Sequence, residues 1–119
     1  MPTAPDAQEF AHAWIIAWNS HDLDRILFHY AENIVLTSPA AAELLNDPAG
    51  TVTGIPALRA YFQRGLQAFP NLHFELIDVF AGLSTVVLIF KNQRGARTAE
   101  FMEFQEQGKI VRVVANYSN

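Results

Sequence analysis

At 119 residues the chain is long enough for one domain around a single core, and with half its residues apolar and 17% charged it has an ordinary globular composition. Its net charge of −4, from 12 acidic against 8 basic side chains with no basic cluster, argues against nucleic acid and anionic membrane as partners. It has no cysteine, no apolar run of about 18 residues and no charged-then-apolar leader, so disulfides, thiol chemistry, a membrane span and secretion are not expected and a cytoplasmic protein is.

Residues 1–5 read as a mobile lead-in to one domain over residues 6–117. Asp6 with Glu9 three positions later is a capping box that opens a first helix. Phe10, Ala13, Trp14, Ala17 and Trp18 then fall on one helical face, which is either core or the closed end of a ligand cavity. Asn19 and Ser20 break that pattern. Asp22 caps a second helix from Leu23, with Asp24 favourable to its dipole; Leu23, Ile26, Leu27, Tyr30 and Ala31 form its apolar face and Asn33 ends it. The β-branched run Ile34 to Ser38 predicts a strand that Pro39 closes.

A long connection follows, with room for a turn or two of helix over Ala40 to Leu45 and turn chemistry from Asn46 to Gly50, and it is the segment expected to be mobile. Pro56 sits at a permitted first-turn position of a third helix, whose buried face is Leu58, Tyr61, Phe62, Leu66 and Phe69 and which Pro70 stops. From Leu72 the texture is β: four strands joined by short glycine-containing turns, hence an antiparallel meander. Apolar residues on both parities of Val86 to Phe90 suit a central strand, and the meander needs helices over one face.

Few residues name a chemistry. His12, His21, His29 and His73 are scattered with no i, i+4 partner or carboxylate cluster, so no metal site is expected, and His21 reads as a hydrogen-bonding residue in the helix break. Gly82-Leu83-Ser84 lacks the second glycine of a nucleophile elbow, and with no phosphate-binding glycine loop no cofactor is expected. The Asn116-Tyr117-Ser118 sequon reads as chance.

The order helix, helix, strand, helix and meander is carried by HDLDRILFHYAENIVLTSP, the GIPALRAYF helix start and the late GKIVR turn and strand. Over residues 6–117 it resembles the nuclear transport factor 2-like superfamily, and within it the SnoaL-like and ketosteroid-isomerase-like branch. The resemblance implies a cone-shaped α+β barrel in which three N-terminal helices pack on a curved, mostly antiparallel sheet around an apolar pocket, commonly as a homodimer through the sheet. A ferredoxin-like sandwich would need alternating βαβ segments that this order lacks. The steroid isomerases of that branch place a base Asp before a proline at the end of the first strand, a Tyr in the first helix and a protonated Asp in a late strand; here the matching positions are Ser38, Trp14 and Met102. Serine cannot abstract a carbon-bound proton unaided and a thioether cannot donate, so that mechanism is not carried over.

The expected pocket has Trp14, Trp18, Ser38, Phe62, Met102 and Tyr117 as ligand-binding wall, with Ser38, Glu100 and Tyr117 as catalytic candidates. Glu100 shares strand parity with Met102. It is either a carboxyl in the cavity, with raised pKa and acid–base capacity, or a rim residue in water. Three functions follow: an acid–base isomerase, dehydratase or cyclase acting on a small apolar or polyketide-like molecule, a binder of such a molecule without turnover, or a dimerisation module with a closed core. A homodimer is expected through the outer face of the sheet, on which Phe101 is placed, together with Phe74 and Leu76.

Overall fold

The computed structural model describes residues 6–118, so the lead-in expected over residues 1–5 lies outside the described residues. The elements run α1 (Ala7–Ser20), α2 (Leu23–Leu27), β1 (Tyr30–Thr37), α3 (Pro39–Leu44), β2 (Thr51–Thr53), α4 (Ile55–Ala68), then β3 (Glu75–Ala81), β4 (Thr85–Lys91), β5 (Arg97–Phe104) and β6 (Ile110–Tyr117). Six strands form one sheet in the order β2-β1-β6-β5-β4-β3. The pairs are antiparallel except β1 with β6, which are parallel. The architecture is the α+β one anticipated, with two differences: there are four helices rather than three, and the curved sheet stays open rather than closing into a barrel.

Local chemistry sets the helix starts. Asp6 accepts from the Glu9 amide at 2.9 Å, and Asp22 accepts from Asp24 and Arg25. The second helix is shorter than its apolar spacing predicts. It ends at Leu27, and Tyr30 and Ala31, both buried, belong to β1. Two pulls explain this. The His29 amide reaches back only three residues, to Ile26, which tightens the last turn, while Tyr30 pairs with Ile110 of β6 and its hydroxyl accepts from Trp14 Nε1. Tertiary pairing overrides a helical pattern.

The connection read as mobile is built instead. Ser38 caps α3, and the Ser38 amide donates to the Gly50 carbonyl at 2.9 Å, while β2 pairs with β1. Gly50 has φ +58, and a Cβ there would lie 2.6 Å from the Ser38 carbonyl oxygen, so this close approach requires glycine.

On the helix-covered face of the sheet, Val86, Leu88 and Phe90 of β4 and Met102 and Phe104 of β5 join Trp14, Trp18, Ile26, Leu58 and Phe62 in the core. The outer face carries a row of paired positions across four strands: Phe80 opposite Val87, Val87 opposite Phe101, and Phe101 opposite Val114. Phe74 and Leu76 do not share that face, as the sequence reading had them. Both pack on the core, because Leu76 pairs with buried Phe90 and Asn19 grips the Phe74 backbone through both its amide atoms, at 2.8 and 3.0 Å.

Candidate functional site

A cleft of about 830 Å³ lies between the sheet and α1, α3 and α4, within the range of small-molecule sites. Its aromatic lining includes Trp14 and Trp18 from α1, Tyr61 and Phe62 from α4, and Phe74 and Phe90 from the sheet side. Their packing is tight: Trp14 stacks on Phe74 with ring centroids 5.9 Å apart and planes 10° from parallel, and Trp18 meets Phe62 edge-on at 4.7 Å. The break between the first helices anchors this wall. Asn19 holds Phe74, and His21 Nε2 lies 2.7 Å from the Leu72 carbonyl, so the ring bonds to the strand approach rather than to a ligand.

Among the described residues the buried polar side chains are Ser38, Thr98 and Glu100, and all three line this cleft. The sheet register brings them together. Glu100 pairs with Ala115 of β6; Thr98, two residues along β5 on the same face, pairs with Tyr117; and Ser38 directly follows β1, whose Thr37 pairs with Val114. Tyr117 closes the group, its hydroxyl 3.1 Å from Ser38 Oγ.

Glu100 is 9% exposed and makes no hydrogen bond to any described residue. Desolvation pushes its carboxyl up to about 8, so at neutral pH the protonated form predominates. Burial also raises the phenols of Tyr30, Tyr61 and Tyr117, and proximity to the Glu100 charge raises each further. The Ser38 hydroxyl acts in the opposite direction on Tyr61 and Tyr117. The arrangement is a proton-active corner in a cleft with an aromatic wall, whose lining also includes Glu43, Asn92, Gln93 and Arg94.

Of the residues read from sequence as pocket wall, Trp14, Trp18, Ser38, Phe62 and Tyr117 line the cleft. Met102 does not. It is fully buried between Val86 and Val113, because two residues along a strand is about 6.6 Å, enough to carry a side chain from the cleft into the packed core beneath. The alternative of Glu100 as a rim residue in water is likewise overturned by its burial. Trp14 offers no free donor, since its Nε1 donates to Tyr30 at 3.1 Å. Sequence reasoning missed Tyr61 and Thr98 as lining residues; only the alternation of Thr98 with Glu100 along β5 signalled the latter. Among the described residues no group of three or more histidines and carboxylates gathers for a metal, and no helix is long and apolar enough to cross a membrane.

Comparison with known proteins agrees with this fold. No curated protein matches the chain. A crystal structure of a SnoaL-like protein of unknown function from Burkholderia thailandensis matches with 34% identity and a TM-score of 0.93, covering 98% of this chain and 99% of that one. A putative isomerase of the SnoaL-like family from Agrobacterium tumefaciens matches at 19% identity and 0.75, covering 95% and 97%. The epoxide hydrolase/cyclase-like enzyme SalBIII, which acts in pyran ring formation in the polyether salinomycin, matches at 19% and 0.70, covering 93% and 89%. The last two likenesses speak to fold alone. The sequence profile of the SnoaL-like domain matches residues 11–113, and with that match and the Burkholderia relative the chain belongs to the SnoaL-like family of the nuclear transport factor 2-like superfamily.

Proposed function

We propose that the protein is an enzyme that moves a proton on a small apolar carbonyl compound, as in isomerisation, dehydration or cyclisation, with Glu100 as the general base. One observation carries this reading: a buried carboxyl that lines an aromatic cleft and has no hydrogen-bond partner among the described residues. Leaving such a group unpaired costs stability, and a pKa near the working pH is what a proton-transfer group needs. The fold itself does not select a reaction, so the residues must. The steroid-isomerase base position is held by Ser38, a helix cap, and Glu100 supplies the base from a different strand.

Hydrogen–deuterium exchange tests it. With 1-decalone in D2O, the protein should accelerate exchange at the carbon next to the carbonyl, and Glu100→Gln should reduce that acceleration by about a hundredfold or more. The rate should rise with pH through about 8, as the carboxyl ionises. Binding of 1-decalone with no exchange above buffer would favour the second reading, a binder using the same cleft, which the aromatic lining supports equally.

The outer row Phe80, Val87, Phe101 and Val114 supports a homodimer packed through the sheet. Phe80 is 55% exposed, and large apolar side chains in a continuous row call for a cover.

A further inference from the structure

Ser38 and Tyr117 form a hydrogen bond whose direction the neighbouring geometry biases. As N-cap of α3, Ser38 Oγ accepts from the Ala40 amide at 3.0 Å and the Ala41 amide at 3.4 Å. A hydroxyl has two acceptor lone pairs and one proton. With two amides directed at the Ser38 oxygen, the arrangement favours the Ser38 proton on its third partner, the Tyr117 oxygen at 3.1 Å. Tyr117 therefore keeps its own proton, and among the described residues no acceptor lies within hydrogen-bond distance of it besides Ser38. Tyr61 also lies beside Ser38, but Tyr117 is the phenol at hydrogen-bonding distance.

The Tyr117 side chain lines the same cleft as Glu100, and across the sheet Ser38, Ala115 and Glu100 stand in neighbouring register positions. We infer that Tyr117 is the hydrogen-bond donor that holds the carbonyl oxygen of the substrate, and that Ser38 is the positioning residue that aims it. The inference rests on the carbonyl chemistry proposed above and adds the group that stabilises the oxyanion while Glu100 takes the proton from carbon. No electron leaves the substrate: the carbon–hydrogen pair moves into the carbonyl π system, the oxygen gains negative charge against the Tyr117 O–H, and the proton passes to Glu100, whose carboxyl exchanges with solvent through the open cleft before a proton is returned to carbon.

The experiment compares two probes of one shape, 1-decalone and decalin, in the same cosolvent. Trp14 and Trp18 are the two tryptophans of the chain and both line the cleft, so the shift of their emission as a probe displaces water reports occupancy by either compound. Tyr117→Phe removes one oxygen from a half-exposed ring and should weaken decalone binding about tenfold while leaving decalin unchanged. Ser38 variants test the direction. Ser38→Asn keeps an acceptor for the α3 amides and an N–H for Tyr117, so decalone affinity should persist. Ser38→Asp keeps the cap but when ionised can only accept; Tyr117 then donates to it, and decalone affinity should fall as in Tyr117→Phe. Unchanged decalone affinity in Tyr117→Phe would overturn the assignment, and so would equal affinities in S38N and S38D when both still bind decalin. Glu100→Gln separates the two readings: it should cut the acceleration of exchange by about a hundredfold or more yet keep the sensitivity of decalone binding to Tyr117→Phe. Exchange surviving at the parent rate in E100Q sinks the base role alone. A protein that binds neither probe overturns both.

Discussion

Glu100→Gln should stabilise the protein at alkaline pH, by an amount fixed by how far burial has moved the carboxyl. Its usual value is 4.5 and in the fold it rises to about 8. At about 1.4 kcal/mol per pH unit, the folded state loses on the order of 4–5 kcal/mol relative to the unfolded chain as pH passes through that window. The sign follows from proton counting. Between 4.5 and about 8 the folded chain holds a proton that the unfolded chain has released, so stability falls as pH rises; below 4.5 both states are protonated and the effect vanishes. Glutamine cannot ionise. Urea unfolding of both proteins at intervals from pH 4 to 9 should give curves that nearly coincide at the acid end and separate by about 3–5 kcal/mol at the alkaline end, with the variant the more stable. That gap is a large share of the stability of a small domain. Parallel curves would show that Glu100 reaches water in solution, and the argument from burial would fail with them.

Trp14→Ala removes a ring that is 1% exposed, stacked on Phe74 and bonded to Tyr30, and should cost about 3–5 kcal/mol by chemical denaturation. Phe101→Asp places a charge in the middle of the outer row; sedimentation velocity should find the parent protein a dimer and the variant a monomer of unchanged circular dichroism. Gly50→Ala drives a Cβ to within 2.6 Å of the Ser38 carbonyl at positive φ and should cost about 2–3 kcal/mol, whereas Gly95→Ala, at φ +82 with nothing within 4 Å, should cost only about 1 kcal/mol in thermal unfolding.

Much of this fold is readable from spacing and punctuation. The caps at Asp6 and Asp22, the proline that opens α4 and the glycine turns of the meander each act through their own backbone, so their chemistry is local. What the sequence hid depends on distant partners. Tyr30 and Ala31 fit a helical stripe as well as a strand, and only pairing with β6, some eighty residues later, decides between them. Strand parity placed Glu100 and Met102 on one face but could not say that the helices cover one and leave the cleft over the other. Phe74 was read outward because alternation says nothing about a grip from Asn19 on another element. The fold was legible; the depth of each side chain was not.

The position of β6 has a consequence for how the chain reaches this structure. β1 and β2 touch the meander through β6 alone, since β6 stands between β1 and β5. Each hairpin of the meander can zip from its own turn, but the strand nearest the N-terminus waits in the unjoined state until the last strand arrives beside it, closing a loop of roughly eighty residues. Assembly is thus gated by one long-range, parallel registration. A side chain at its centre, Val113 against Leu36 and Met102, is therefore where truncation to alanine should slow folding rather than only speed unfolding, as a denaturant chevron would read.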